Sequence, residues 1–587
     1  MPVSAGMTGT CEELPSALMR PAGTRESWLA RGAAAVTLLI LAGPILAGLI
    51  GVLLPAFGHL PAIGRFGPSL QPWRDLLSMP GIFRSAILSL TAGLVTGAIS
   101  LIVVILLLAG ALGTRTFAII RRLISPLLSV PHAAAAFGLA FLIAPSGWIV
   151  RLLSPWATGF HDPPDWLTVN DPNGFAMIAG LVLKEVPFLL LIALAALPQL
   201  QPDRRLAVAR SLGYGRATGF LKAVAPLLYP LIRLPLYAVI AYSTAVVDVA
   251  MILGPANPPA LSVAVVKWMA DPDLNLRLVA SAGALLQVGV TVSTLLIWRF
   301  AEAAFRRLAA HPLIDGRRRF GDPWLGRLGI GLSILIVIAS VLGMLSLAVW
   351  SVAGLWRFPD WAPQSIDLVR WGRAFPLLSG PIWTSVLVGL LSTVLSVLLV
   401  IAALENELLH GRPAEPFALV ILYAPLLVPP VGFLFGLTVA ADAAGLGPTL
   451  PLVVLGHLLF VLPYIYLSLS EAYRRFDPRF ALAAATLGAA PTRQFFEIRL
   501  PILLQPILTA AAVGFAVSIG QYLATQLLGA GRVTTITTEA VALAAGGDRR
   551  IIGIYALAQA LIPAAGFLIA LTVPRLVWHN RRALRGN

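Results

Sequence analysis

The sequence predicts an all-α integral membrane protein of about twelve transmembrane helices, arranged as two parallel repeats of six. Hydrophobic residues make up 58% of the chain and charged residues only 12%, whereas a soluble domain carries about 25% charged residues. Apolar runs long enough to cross a bilayer, which takes about 20 residues, recur along the whole chain. Glycines and prolines also recur between the halves at a constant offset. An even number of helices per half gives both halves the same orientation.

The apolar runs divide the chain into two halves joined by a basic linker. They lie at about 33–56, 85–112, 122–150, 174–200, 224–254 and 278–301, and then at about 328–355, 382–404, 416–443, 450–472, 502–528 and 551–578. The first run is longer than the 7–15 residues of a secretory signal core, so we expect an uncleaved helix. The predicted division is a tail (1–32), a first repeat (33–301, core about 80–301), a linker (302–327), a second repeat (328–578, core about 378–578) and a tail (579–587).

The distribution of Lys and Arg orients these helices. With the N-terminus inside, twelve spans place more than twice as many Lys and Arg residues inside as outside. The positive-inside rule therefore predicts a multi-pass protein of the inner (plasma) membrane with both termini in the cytoplasm. The net charge of +16 is then explained by orientation and by contact with anionic lipid. Nucleic-acid binding is not expected. A single cysteine, Cys11, excludes an intramolecular disulfide.

Two polar islands repeat one design 275 residues apart. In these islands, Ala207 to Pro226 and Leu482 to Pro501, Gly213 and Gly488 are each followed thirteen residues later by the proline. Good helix formers precede each glycine, glycine tolerates the left-handed backbone that ends a helix, and proline suits the first turn of the next helix. Each island is predicted to form a helix–glycine–helix elbow on the cytoplasmic side; we call them the first and the second elbow. Upstream, SVPHAAAAFG resembles LVPPVGFLFG at an offset of 298, which places the extra residues in the outside loop at about 145–173.

At the elbows the chain resembles the permease subunits of binding-protein-dependent ABC importers. Their EAA loop reads roughly Glu-Ala-Ala, three residues, Gly, and about nine residues before an I-x-L-P ending. The segments Leu482 to Gly488 and Ile498 to Pro501 match this pattern, and the first elbow matches it more loosely. The leading Glu is replaced by Ala207 and Leu482, and the nearby Asp203 and Asp477 would partly substitute for its charge. The two fused halves look most like the thiamine and ferric-iron branches.

This resemblance implies the type I importer permease fold, MetI-like, and an ATP-driven import mechanism. Each elbow would seat in one subunit of an ATPase dimer, which would bind the ATP and Mg, and a solute-binding protein would dock on the extracytoplasmic face. The implied coupling residues are Asp203, Arg204, Ala207, Val208, Ala209, Gly213, Pro226, Asp477, Arg479, Leu482, Ala483, Ala484, Gly488 and Pro501.

The chain itself is not expected to be an enzyme. A Walker A loop needs a lysine after glycine, but Lys184, Lys222 and Lys267, the only lysines, follow Leu or Val. ATP hydrolysis is therefore expected in a separate chain. No metal or cofactor site of its own is predicted.

Polar side chains within the apolar runs are candidates for the substrate pathway, because a charge at bilayer depth costs about 2.5–3.5 kcal/mol. Lys184 and Glu185 either face the pathway or pair with Asp248 or Arg233 as structural contacts. Acidic and aromatic residues together suit a cation such as thiamine; ferric iron is the other substrate expected. Glu405 and Glu407 are predicted to be solvated at a helix end. The candidate pathway residues are Lys184, Glu185, Tyr242, Asp248, Gln521, Tyr522 and Gln526.

Two alternative functions stay open at this point. A secondary transporter driven by an ion gradient would use Lys184, Glu185 and Asp248 as ion carriers, but it leaves the two elbows without a role. A membrane-embedded enzyme is disfavoured, because the seven histidines are scattered and form no metal-ligand spacing.

Overall fold

A computed structural model describes residues 24–319, 321–410 and 415–577. Cys11, most of the predicted N-terminal tail and the C-terminal tail (579–587) lie outside the described residues. In the part of the chain that is described, the only β pairing is two isolated bridges, so the predicted all-α class is confirmed.

The described residues of the first half form thirteen α-helices. They are α1 (Thr24–Ala56), α2 (Gln71–Ser78), α3 (Ile82–Ala111), α4 (Arg115–Ile124), α5 (His132–Ile143), α6 (Trp148–Leu153), α7 (Phe175–Ala196), α8 (Pro202–Ser211), α9 (Arg216–Ala223), α10 (Ala225–Ala245), α11 (Asp248–Leu253), α12 (Leu261–Met269) and α13 (Leu276–Ile314).

The second half repeats this order with eleven helices in its described residues. They are α14 (Asp322–Val352), α15 (Val369–His410), α16 (Pro416–Leu427), α17 (Pro430–Ala443), α18 (Leu450–Arg474), α19 (Pro478–Thr486), α20 (Pro491–Gln494), α21 (Leu500–Ile519), α22 (Leu523–Gly529), α23 (Ile536–Ala542) and α24 (Arg549–Val577).

The helix starts follow the two offsets seen in the sequence. The starts of α7 and α18, of α10 and α21, and of α12 and α23 are each 275 residues apart, and those of α5 and α17 are 298 apart. The change of offset falls in the loop before α7, where the sequence places the extra residues. The two halves are therefore structural repeats, helix for helix, along most of their length.

Eleven helices of the described chain are long and apolar enough to cross a membrane, and a bent pair makes up to twelve. The pair is α16 and α17, which meet at 94°. The predicted number of spans is confirmed, but besides this bent pair, which is the predicted run at 416–443, three further predicted runs are not single helices. The run at 122–150 breaks before Pro131, because the residue before a proline is driven out of helical geometry. The runs at 224–254 and 502–528 end at Ala245 and Ile519, and short helices follow.

The first helix of each half lies mainly against the other half. Helix α1 packs chiefly on α17, and α14 packs on α3, α5 and α24. At the contact of α1 and α17, a Cβ atom added to Gly436 would lie 1.8 Å from the Gly48 carbonyl oxygen. Gly138 of α5 and Gly343 of α14 meet in the corresponding contact, with a Cβ 2.9–3.1 Å from the facing backbone. Small residues let helix backbones approach closely in a membrane, so glycine fixes both crossings.

On the face opposite the elbows, Arg151 joins the halves a second time. Its guanidinium donates hydrogen bonds to the carbonyl oxygens of Arg357 (2.7 Å) and Asp360 (3.1 Å) in the loop after α14. The same group lies 4.9 Å from the centre of the Trp356 ring, at cation–π distance. This contact holds α6 of the first half to the second half.

Candidate functional site

The first elbow ends α8 with a Schellman motif. Gly213 has φ of +83°, its N–H donates to the Arg210 carbonyl (2.9 Å), and the Tyr214 N–H donates to the Ala209 carbonyl (3.0 Å). These two bonds satisfy the carbonyl groups that a helix end leaves unpaired. Helix α9 then leads into α10, whose second residue is Pro226.

The second elbow repeats this geometry. Gly488 has φ of +80°, its N–H donates to the Ala485 carbonyl (2.9 Å), and the Ala489 N–H donates to the Ala484 carbonyl (3.0 Å). The short α20 and a π-helical turn at Phe495–Arg499 lead into α21, whose second residue is Pro501. Both elbows therefore have the predicted helix–glycine–helix form. Their role in coupling stays a prediction.

The outer surface of each elbow is apolar with a basic rim. Leu212 and Leu487 occupy the same place before the two glycines, and they are 56% and 88% exposed. Exposed apolar side chains that lie together mark interaction surfaces. Of the predicted coupling residues, Ala209 and Ala484 are buried, Pro501 is half-buried, and the others are exposed, namely Asp203, Arg204, Ala207, Val208, Gly213, Pro226, Asp477, Arg479, Leu482, Ala483 and Gly488.

The two aspartates that were expected to substitute for the missing Glu lie at the starts of the elbow helices. Asp477 caps α19 by accepting the Arg479 N–H at 2.9 Å. Asp203 lies in the first turn of α8. Both carboxylates are thus placed at helix N-termini, where negative charge is favourable.

The linker braces the first elbow. The Lys222 ammonium donates to Asp315 Oδ1 at 2.6 Å, and the Thr218 N–H and hydroxyl donate to the two oxygens of Asp322 at 2.9 and 2.6 Å. The Gly215 N–H donates to the carbonyl of Arg318 in the linker (2.8 Å). The hydrogen bond from Lys222 holds the pKa of the Asp315 carboxyl below its ordinary value.

The second elbow is braced by Glu405 of α15. This carboxylate accepts hydrogen bonds from the Tyr473 hydroxyl and the Arg499 guanidinium. Its neighbour Glu407 accepts from Tyr466 at 2.7 Å and from Arg474 at 2.9 Å. The prediction that Glu405 and Glu407 are solvated is wrong, since their side chains are only 17% and 12% exposed. The partners lie 59 to 94 residues away in the chain, which a local reading of the sequence does not detect.

Lys184 has a structural partner. It is buried in α7, and its ammonium donates to the carbonyl oxygens of Leu127 (2.8 Å) and Val130 (2.5 Å). These carbonyls lie at the break between α4 and α5, where no helical N–H reaches them. The cation replaces those donors. The partners of Lys184 are therefore backbone carbonyls. They are not Asp248 or Arg233, the side chains with which Lys184 was expected to pair if its role were structural.

Glu185 and Asp248 belong to a buried polar cluster. Glu185 Oε1 lies 3.3 Å from Nε2 of His132, whose ring is centred 4.9 Å from the ring of Tyr242. The Tyr242 hydroxyl in turn interacts with Asp248. Four helices of the first half, α5, α7, α10 and α11, bring these groups together. The sequence reading missed His132, although it directly follows Pro131 at the break before α5.

The second half completes this cluster with two tyrosines. The Tyr464 ring on α18 is centred 6.2 Å from the ring of Phe188, three residues after Glu185 on α7, and Tyr522 lies just before α22, within electrostatic range of Asp248. The cluster thus lies where the two halves meet. Tyr522 was predicted, while Tyr464 was not, because nothing in the sequence distinguishes it from the other tyrosines of α18.

Among the other polar groups of the second half, His457 makes packing contacts. His457 is buried, with its ring nitrogens 2.7 Å from Ser518 Oγ and 2.8 Å from Thr525 Oγ1. Gln521 and Gln526 are half-buried on either side of Tyr522. Within the described residues, no group of three or more His, Cys, Asp or Glu side chains is placed to hold a metal ion.

Comparison with known proteins gives a match over nearly the whole chain. The chain is 31% identical over 517 residues to the inner membrane ABC transporter permease protein YnjC of Escherichia coli K12, which covers 88% of this chain and 93% of YnjC. Residues 397–579 match the family model described as binding-protein-dependent transport system inner membrane component.

Other matches are shorter. The molybdenum transport system permease protein ModB of Mycobacterium tuberculosis is 33% identical over 175 residues, which are 27% of this chain and 66% of ModB. A spermidine/putrescine transport system permease protein PotC homolog of Mycoplasma genitalium is 36% identical over 87 residues, 15% of this chain and 30% of the homolog.

Proposed function

Because this chain belongs to the inner-membrane permease family of binding-protein-dependent ABC transporters, with both halves in one polypeptide, we propose that it imports a small solute between those halves. The energy comes from ATP hydrolysis in separate subunits that bind the two elbows. The observation that carries this proposal is the matched geometry of the elbows, with Gly213 and Gly488 in the same left-handed conformation.

The elbows have the features of docking surfaces for two copies of one partner. Each offers an apolar face, at Leu212 or Leu487, beside basic side chains such as Arg210 or Arg493. Two similar surfaces in one chain suit an ATPase dimer, whose ATP and Mg bind in the partner. The elbows, and with them both termini, then lie on the cytoplasmic side. A solute-binding protein delivers the substrate to the opposite face.

The buried cluster at the boundary of the halves supports a pathway for a cation. Glu185 and Asp248 supply buried carboxyl groups, and Tyr242 and Tyr522 supply aromatic rings. Carboxylates and aromatic rings together favour an organic cation such as thiamine; ferric iron, which prefers oxygen ligands, is the second substrate to test. Gln521 and Gln526 flank Tyr522 and complete the proposed lining.

The alternative of a secondary transporter finds no observation in its favour. Lys184, one of its three candidate ion carriers, is engaged by backbone carbonyls, and the paired elbows have no role in that mechanism.

The elbow glycines provide the main test. Replacing both Gly213 and Gly488 by valine forces a β-branched residue into the left-handed region, at roughly 1–2 kcal/mol for each position. We expect the ATPase subunits to be lost when the permease is purified from cells that co-express them. ATP-dependent uptake into proteoliposomes should be lost with them.

Gly445→Val is the matched control. Gly445 also has positive φ (+70°), and neither it nor Gly488 has an atom within 4 Å of an added Cβ. It lies on the face opposite the elbows, between α17 and α18. The control should retain the ATPase, and unchanged ATPase association in the double elbow variant would refute the proposal.

The substrate class is tested by Asp248→Asn. Uptake of thiamine or ferric iron should fall about tenfold, the factor that corresponds to a lost contact of about 1.4 kcal/mol, while ATPase association is unchanged. Asp165→Asn is the control, because it removes the same charge from an exposed side chain in the loop before α7. Equal uptake by both variants would argue against a cation pathway at Asp248.

A further inference from the structure

The chain segments on both sides of the second elbow are held by one carboxylate. Tyr473 lies on α18 before the elbow, and Arg499 lies at its end, on the π-helical turn. Glu405 Oε1 accepts the Tyr473 hydroxyl, and Oε2 accepts the Arg499 guanidinium. Glu405 therefore joins the entry and the exit of the second elbow to the last turns of α15.

This contact is shielded from water. The side chains of Glu405 and Arg499 are 17% and 11% exposed, and the guanidinium also lies 5.4 Å from the centre of the Phe476 ring. By contrast, Arg493 and Glu497 on the same elbow form a pair whose side chains are 66% and 59% exposed. Exposed pairs contribute little, whereas loss of one partner from a buried pair leaves an uncompensated charge.

The first half lacks the residues for this contact. At the repeat offsets, Glu405 corresponds to Leu107, Tyr473 to Pro198 and Arg499 to Val224. No ion pair of this kind can form there. The first elbow is instead held by Asp315 and Asp322, which lie in the linker and at the start of α14.

From this difference we infer that Glu405 is a positioning residue, which makes the second elbow move as one body with α15 of its own half. The first elbow moves with α14, the first helix of the other half, through the linker carboxylates. The inference rests on the proposed function, since it concerns how motion of a bound ATPase reaches the membrane. It also gives the linker a mechanical role beyond joining the halves: it connects the first elbow to α14, which packs on both α5 and α24.

The test is Glu405→Gln in the permease reconstituted with its ATPase and binding protein. Glutamine keeps a hydrogen-bond acceptor for Tyr473 but removes the charge that holds Arg499. We expect the ATPase to remain bound and ATP hydrolysis to continue, while substrate imported per ATP falls about tenfold, within the usual range of coupling between sites. The charge-exchange double variant Glu405→Arg with Arg499→Glu should recover part of this ratio, which a merely structural defect would not.

Glu471→Gln, in the exposed ion pair with Arg475 near the end of α18 and outside the elbow, is the control and should keep the wild-type ratio. If Glu405→Gln does not fold, Tyr473→Phe removes only the hydroxyl contact and should lower the ratio in the same direction. A wild-type ratio in the folded variant, or a loss of ATPase binding as large as that of the elbow-glycine variant, would overturn the inference. Failure of the wild-type protein to bind any ATPase would instead overturn the proposed function.

The claim that the first elbow moves with α14 through the linker carboxylates has its own test. Asp315→Asn with Asp322→Asn should lower the same ratio while leaving the second elbow intact, and a combined variant with Glu405→Gln should lower it further. If the linker variant imports as much substrate per ATP as wild type, the first elbow does not act through α14.

Discussion

The crossing of α1 and α17 offers the sharpest test of how the halves interlock. Gly436→Ala adds a Cβ atom that would lie 1.8 Å from the Gly48 carbonyl oxygen and 2.6 Å from the Val52 nitrogen, whereas ordinary contact begins at 3.4 Å. Both obstacles are backbone atoms, which cannot rotate away, so the helices must separate. Overpacking of this kind costs about 1–3 kcal/mol, occasionally more.

Three substitutions form a graded series. The nearest backbone atom lies 1.8 Å from the added Cβ at Gly436, 2.2 Å at Gly51 and 3.1 Å at Gly343. The loss of stability on substitution by alanine should follow that order, with Gly436→Ala the most severe. Gly289→Ala in α13 is the control, because its Cβ meets nothing within 4 Å and alanine favours a helix over glycine by roughly 0.5–1 kcal/mol.

The assay is the apparent melting temperature of the detergent-solubilised protein at one fixed scan rate, since unfolding of a chain of this size is generally irreversible. Gly436→Ala should melt below wild type and Gly289→Ala at or above it. If Gly436→Ala melts with the control, the close approach of α1 and α17 does not exist in the protein, and the interlocked arrangement of the halves must be abandoned.

Three further predictions concern single contacts. Lys184→Met leaves the Leu127 and Val130 carbonyls without a donor and should destabilise the protein by about 1–3 kcal/mol, whereas Lys267→Met at an exposed site should melt like wild type; equal melting of the two would refute the role of Lys184. His457→Leu should cost a similar amount, because the Ser518 and Thr525 hydroxyls lose their buried partner. For the linker, Lys222 holds the pKa of Asp315 below its ordinary value. The hydrogen bond between Lys222 and Asp315 should therefore contribute its full free energy to stability at neutral pH. This contribution should weaken only as the pH falls below about 4, through the lowered pKa of Asp315. The Gly215 amide, which donates to the Arg318 carbonyl in the linker, reports on this attachment through its hydrogen-exchange rate, corrected for the intrinsic rate at each pH. Loss of its protection already at pH 6 would contradict the predicted pH dependence.

The sequence predicted those features that depend on local chemistry repeated twice. Gly213 and Gly488 end their helices in the expected left-handed conformation, because few other residues tolerate it. Pro226 and Pro501 lie in the first turn of the next helix for an equally local reason. The number of spans followed from the length of the apolar runs. Signals of this kind can be recognised in a single sequence, because they do not depend on contacts between distant segments.

What the sequence did not predict depends on contacts between distant segments. From the sequence, Glu405 is expected to be a solvated residue at a helix end. In the structure, α18 and the π-helical turn place Tyr473 and Arg499 beside it. From the sequence, Lys184 is a candidate for a charged residue of the substrate pathway. In the structure, the break before α5 places backbone carbonyl groups beside its ammonium group. That break was itself hidden, because the run at 122–150 is apolar throughout its middle and hydropathy does not register Pro131.

The interlocked helices also constrain how the chain is made. Helix α1 ends at Ala56 and its main neighbour α17 begins at Pro430, so at about 5–20 residues per second a ribosome needs roughly 20–75 seconds to reach the second from the first. During that interval Gly48 and Gly51 of α1 have no α17 backbone to pack against. A truncated product that stops at the linker would never gain this contact.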